Sequence, residues 1–157
     1  MDFQSHVADS TLNATKTFLR YVRALPEDRI AWQPGPDSRS ALSMLQEIAQ
    51  EPRDVARLFR GDPIPDVGTD IYFDRMRKEK AEWTTVDECE RVLEFNLNLW
   101  LDAIKQFPSH QLEGAVIEPW GYQTTFGELI MYQYWNTTWH TGQVAYIQTL
   151  LGDTKSY

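Results

Sequence analysis

Cysteine is almost missing from this chain of 157 residues: Cys89 stands alone, so no internal disulfide can form, which agrees with a reducing compartment. Long apolar runs are missing too. No stretch approaches the roughly 20 apolar residues of a membrane span, and the opening MDFQSHVADS has no basic start followed by an apolar segment. Basic charge is scarce, with 15 Lys and Arg against 23 Asp and Glu and a net charge of −8. Phosphate-backbone binding depends on clustered Lys and Arg, so this balance argues against a nucleic-acid partner. The short run from Arg75 to Lys80 reads as a solvated loop or helix face. Serine-nucleophile motifs, phosphate-binding glycine loops and paired-cysteine metal motifs are all absent. A soluble cytoplasmic protein with no membrane partner is expected.

What is present is helical period. The length and the 42% hydrophobic content suit one domain with a full core, spanning residues 1–157. In the first segment apolar residues recur at Phe3, Val7, Ala14, Phe18, Tyr21, Val22 and Leu25, and Pro26 closes it. The second offers Ser40 as N-cap and Gly61 as stop, with Leu42, Leu45, Ala49 and Phe59 on one side. Pro52 falls inside it, where a lost backbone donor predicts a kink or a break. The third carries a stripe of Val86, Cys89, Leu93, Leu97, Trp100, Ile104 and Phe107, opened by Thr85 and Glu88 in the order of a capping box. The fourth runs from about Thr125 to Leu151. A short helix is expected from about Asp70 to Trp83, and the stretch HQLEGAVIEPWGYQTT reads as a small hairpin or an ordered loop. Four long helices with few strands predict an all-α, up-and-down four-helix bundle of antiparallel neighbours.

The fourth segment holds the chemistry. Its inner stripe is Phe126, Ile130, Gln133, Thr137, His140, Val144, Ile147 and Leu151, apolar at both ends and polar in the middle. Polar groups at the centre of a bundle cost free energy unless they are hydrogen-bonded or hold a ligand. Asn136 and His140 are one turn apart on one face, a spacing that suits two ligands of one metal ion. On the second helix Glu47 and Glu51 have the same spacing. His140, Glu47 and Asn136 or Gln133 would leave open coordination positions for water or substrate. The competing reading is a hydrogen-bonded polar core. Gln143, next to Gly142, is placed to bond His140 or a backbone carbonyl or to lie on the surface, and Tyr132 either extends the polar strip or is a buried tyrosine with a satisfied hydroxyl. Gly142 costs about 1 kcal/mol against Ala in mid-helix, which predicts a close approach by another helix, within the bundle or across a dimer. Trp32, Trp100 and Trp135 are expected in the core, with Trp120 and Trp139 at a pocket mouth. Cys89, on an apolar stripe, reads as a small hydrophobe.

Two stretches carry a resemblance. LPEDRIAWQPGPDSRSALSMLQEIA, with Trp32, Pro34, Pro36 and Ser40, and NTTWHTGQVAYIQTLLGD, with His140, Gly142 and Gln143, resemble the DinB/YfiT-like superfamily of bacterial four-helix-bundle proteins. The resemblance implies a divalent metal (zinc, nickel, manganese or iron) held by three histidines, one on the second helix and two on the fourth. Carried over, these positions are Glu47 (or Gln46 if the register slips by one), Asn136 and His140, so only the last is histidine. Oxygen ligands shift preference toward harder ions. Two readings stand open: a mixed Glu/Asn/His metal site, or a site that has lost its metal and survives as a polar network or ligand pocket. The family's activities imply a metal-dependent hydrolase or a thiol transferase of the bacillithiol or mycothiol type, acting on a small molecule, with the metal lowering the thiol pKa. The alternative is a non-catalytic small-molecule binder or a stress-associated bundle. The family and the aromatic outer face of the fourth helix also imply a homodimer. Gln143, Gln133, Tyr132, Glu51 and Trp139 are the candidate binding residues around the trio.

Overall fold

The computed structural model describes residues 2–157 and contains five helices: α1 (Phe3–Ala24), α2 (Ala41–Arg60), α3 (Asp70–Lys80), α4 (Val86–Gln106) and α5 (Phe126–Leu150). A two-stranded antiparallel sheet, β1 (Ala115–Ile117) and β2 (Gln123–Thr125), precedes α5. Local chemistry sets the helix ends. Asp2, Ser40 and Thr69 each accept a backbone N–H in the first turn of α1, α2 and α3. Thr85 with Glu88, and Thr125 with Glu128, form reciprocal capping boxes at the starts of α4 and α5. No helix is long and apolar enough to cross a membrane among the described residues.

The four long helices pack around one core in which Trp100, Phe18, Leu45, Ile48, Leu93, Ile104, Leu129 and Ile130 are fully buried. Their directions differ from the expected alternation. Side chains of α2 meet α4 and its approach in ascending order: Gln46 Nε2 donates to Trp83 O, Asn96 Nδ2 to Ala49 O, and Arg60 Nη2 to Leu99 O. These helices therefore run parallel. In contrast, α1 runs against α4, with Gln4 at Ile104 and Phe107 and Arg23 at Asp87 and Glu90. The reason lies in the connections. Twenty residues of helix span about 30 Å, and the segment 61–85 is long enough to carry the chain back along α2 before α4 begins. The ends of α2 and α4 and the start of α5 thus meet, and Phe59, Phe107 and Phe126 close that end with ring centroids 4.5–5.2 Å apart.

The helix α3 lies within this return path. It docks on α2 through Tyr72, whose hydroxyl donates to buried Asp54 at 3.1 Å, and through Gln50 Nε2 on Met76 O at 3.0 Å. Arg53 adds an ion pair to Glu79. The basic run from Arg75 to Lys80 is thereby on a helix, as one of its two readings required. The following hairpin is tied back by Gly68 and Gly121, both at positive φ, with a backbone bond from Gly68 N to Pro119 O of 3.3 Å. A Cβ on Gly68 would sit 2.9 Å from the Gly121 Cα, so this crossing requires glycine.

Pro52 does not break α2, which is helical from Ala41 to Arg60. A proline at 52 removes the N–H that would bond the Ile48 carbonyl. That carbonyl accepts Gln133 Nε2 from α5 at 3.2 Å instead, and the neighbouring Ala49 carbonyl accepts from Asn96. A side chain from α5 thus mends the gap, and the helix survives without ending.

Candidate functional site

The polar middle of α5 divides into two parts that point to different tasks. Gln133 is 1% exposed and spends its Nε2 on the Ile48 carbonyl of α2, which makes it a structural partner of Pro52, while its Oε1 has no partner. Thr137 is buried with no hydrogen-bond partner for its hydroxyl. One turn further, Asn136, His140 and Gln143 face Glu47 and Glu51 across the antiparallel contact between α5 and α2.

Glu47 is the hub. Its Oε1 lies 3.1 Å from His140 Nε2 and accepts Asn136 Nδ2 at 3.2 Å. Its Oε2 is paired with Arg39 Nη2 at 2.7 Å. The His140 ring is only 3% exposed, and its other nitrogen, Nδ1, lies 2.6 Å from Gln143 Oε1. Arg39, just before the Ser40 cap, also donates to Ser43 O at 3.0 Å, which holds the guanidinium over the first turn of α2. Asn136 Nδ2 donates to Glu51 Oε2 at 2.8 Å as well, so two carboxyls accept from one nitrogen.

The two carboxyls respond in opposite directions. Burial works against the Glu47 carboxylate, but its contacts with His140, Arg39 and Asn136 outweigh that and hold it down at about 2. Burial and the charge of Glu47 push Glu51 up to about 8, against the weaker pull of the Asn136 bond. One negative charge is therefore favoured at the pair near neutral pH, and it resides on Glu47. Tyr132 packs against Trp120 with centroids 4.3 Å apart and planes tilted by 38°, and burial together with Glu51 and Glu47 raises the pKa of its hydroxyl.

Among the sequence-derived candidates, Glu47, Asn136, His140, Gln143 and Glu51 come together, and Tyr132 lies beside them. Trp139 does not touch the cluster. It is 57% exposed, on the wall of an open groove of about 850 Å³ that runs from Pro34 and Arg39 past Gly142 and Gln143 to Tyr146. Trp135 is 52% exposed and stacks on Trp139, which corrects its expected place in the core. Trp100 is fully buried and Trp32 half-buried against the core. A Cβ on Gly142 would meet nothing within 4 Å, so no helix of the bundle approaches it. Cys89 is buried, and burial pushes its thiol up to about 12, far from the thiolate a nucleophile needs. Sequence reasoning missed Arg39. The only signal was its position before the Ser40 cap, eight residues and about two turns N-terminal to Glu47.

Tested against a divalent metal, the donor set does not fit as arranged. A metal needs lone pairs directed at one point, whereas Glu47 spends both oxygens on N–H groups, Asn136 turns its NH2 toward the carboxyls, and His140 has both ring nitrogens engaged. Among the described residues, no group of three or more His, Cys, Asp and Glu side chains is arranged to hold a metal ion.

Fold and site together define a mostly helical bundle with a carboxylate, imidazole and guanidinium cluster between α2 and α5, in which the imidazole is buried and the carboxylate and guanidinium are half-buried. The match to the DinB superfamily, over residues 11–144, makes the chain a member of that family. Among solved structures, a conserved protein from Enterococcus faecalis superposes with a TM-score of 0.75 at 15% identity, covering 98% of this chain and 99% of that one. A DinB-like protein from Bacillus subtilis gives 0.66 at 14% identity, covering 97% and 96%. A mycothiol-dependent maleylpyruvate isomerase gives 0.71 at 9% identity, with 90% of this chain matched to 60% of that one. No curated protein matches the chain by sequence.

Proposed function

We propose that this DinB protein binds a small organic molecule in the groove beside the Arg39, Glu47 and His140 cluster, and that it does so without a resident metal ion. The observation that carries the reading is the 2.7 Å pair between Arg39 Nη2 and Glu47 Oε2, with His140 on the other carboxylate oxygen. The guanidinium supplies to Glu47 the positive charge that a metal supplies elsewhere in the family. Catalysis by His140 is disfavoured on geometry, because a general base must present a free lone pair to the substrate and both nitrogens of this buried ring face protein groups. The groups left for a ligand are donors: the N–H groups of Arg39 not spent on Glu47, on Ser43 and on the 3.4 Å contact of Nη1 with His140 Nε2, and the Gln143 amide nitrogen, whose oxygen alone is held by His140.

A second reading, a thiol-dependent transferase or isomerase with Glu47, Asn136 and His140 as metal ligands, is favoured by the shared fold with the mycothiol-dependent maleylpyruvate isomerase. Metal analysis separates the two. Untagged protein purified without chelator should carry no stoichiometric metal and take up none from added zinc, nickel, manganese or ferrous iron, with His140→Ala behaving the same. One equivalent of metal in the native protein, lost in His140→Ala, overturns the metal-free reading and makes a search for thiol transfer the next step.

A further inference from the structure

The groove carries more information than its position. Gly142 lies in the middle of a 25-residue helix, where glycine is disfavoured, yet a Cβ there would meet nothing within 4 Å. Internal packing therefore does not explain it. Its effect is on the groove, where it leaves a flat gap on the helix surface between Trp139, one turn before, and Tyr146, one turn after. Both aromatics are largely exposed, at 57% and 64%. The Trp139 indole is also held in place by stacking on Trp135, with centroids 5.8 Å apart and planes 25° apart. Buried Met44 and Ile147 form an apolar floor. At the inner end stand Arg39 and Gln143 with unspent N–H groups. The rim has one acid, Asp37, which is exposed and therefore screened by solvent and salt.

A gap between two aromatic side chains over an apolar floor accepts a flat ring. Unspent guanidinium and amide donors at one end accept an anionic oxygen pair. We infer that the groove is a binding site for a planar aromatic carboxylic acid, its ring lying over Gly142 between Trp139 and Tyr146 and its carboxylate against Arg39 and Gln143. This deepens the proposed function and rests on its placement of a ligand beside Arg39.

The probe is 1-naphthoate, measured by calorimetry against its neutral analogue 1-naphthalenemethanol. The native protein should bind the acid at least about tenfold more tightly than the alcohol, a preference of the size charge-assisted bonds supply. Gly142→Leu, which fills the gap on an exposed helix position and favours the helix, should weaken naphthoate by about tenfold or more while leaving the melting temperature equal or higher. Arg39→Gln should abolish the preference for the acid. Absence of naphthoate binding overturns the assignment, as does binding unchanged by Gly142→Leu. A native dimer that Gly142→Leu converts to monomer in sedimentation overturns it too, because a second copy then fills the groove. Failure here is separable from failure of the metal-free reading: stoichiometric metal alongside naphthoate binding sinks only the latter, and metal-free protein that ignores naphthoate sinks only the former.

Discussion

The pairing of Gln133 with the carbonyl that Pro52 leaves open makes a sharp prediction, because it requires the cost of one substitution to change sign with another. Gln133→Leu removes the donor from the Ile48 carbonyl, now 3.2 Å from Nε2, in a place where Gln133 is 1% exposed. Leaving a buried carbonyl unpaired costs about 1–3 kcal/mol. The same substitution also removes the Gln133 Oε1, which is buried with no partner of its own, and this returns part of the cost. A net loss of about 1 kcal/mol is expected in the native background. In Pro52→Ala, the restored N–H of residue 52 bonds the Ile48 carbonyl within the helix, so Gln133 has nothing to mend. Gln133→Leu then only replaces an unpaired polar oxygen by an apolar group and should stabilise by up to about 1 kcal/mol. The coupling between the two sites is thus about 1–2 kcal/mol, in the range of residues that share one hydrogen-bond network. Denaturant unfolding of the four proteins measures it, and any cavity left by Pro52→Ala cancels in the cycle. Equal costs of Gln133→Leu in both backgrounds, within about 0.5 kcal/mol, would refute the mending argument and return Gln133 to the candidate site.

Four further outcomes follow from the structure. Glu51, held at about 8 against an ordinary 4.5, stays protonated in the fold while the unfolded chain ionises. Stability should therefore fall as pH rises from about 4.5 to 8, and Glu51→Gln should flatten that slope in denaturation midpoints taken across pH. Glu47, held at about 2, has the opposite sign: its contribution is full above about 4.5 and is lost as pH falls toward 2, and Glu47→Gln should remove that acid-side loss from the same midpoints. Gly68→Ala combines a φ of 72° with a Cβ 2.9 Å from Gly121, so a loss above about 1 kcal/mol is expected, with increased solvent quenching of Trp120 fluorescence as the hairpin loosens. Cys89, whose thiol burial pushes up to about 12, should not react with a thiol reagent in the native protein and should give one equivalent in denaturant.

Helix existence was legible in the sequence, because apolar spacing, caps and stops are local. The 86, 89, 93, 97, 100, 104 stripe and the Thr85 capping box lie where the pattern puts them. Helix direction was not legible. Alternation is the economical guess for short connections, and it fails here because the segment 61–85 carries its own helix and returns the chain along α2. The exposure of Trp135 was missed for a related reason. On α5 both faces are rich in large apolar or aromatic residues, with Leu129, Ile130, Val144 and Ile147 inside and Trp135, Trp139 and Tyr146 outside, so composition does not say which face is buried.

The site shows the same boundary between local and distant information. Spacing brought out Glu47 with Glu51 and Asn136 with His140, since each pair shares one helix, and the antiparallel contact of α2 with α5 does join them. Arg39 was invisible because it precedes its helix and pairs with Glu47 eight residues on, outside the i, i+3 and i, i+4 spacings that a helical pattern reveals. Pro52 was read as damage because its repair comes from Gln133, 81 positions away in sequence. The polar middle of α5 thus has two causes. Gln133 answers a defect in α2, while Asn136, His140 and Gln143 organise the Glu47 carboxylate that holds Arg39. Removing Arg39 should expose this division: Arg39→Gln takes away a cation that holds Glu47 low, so the acid-side loss of stability should begin at a higher pH than in the native protein. The coupling of Gln133 to Pro52 should be unchanged in that variant. A changed coupling would mean that the two halves of the polar strip act as one unit.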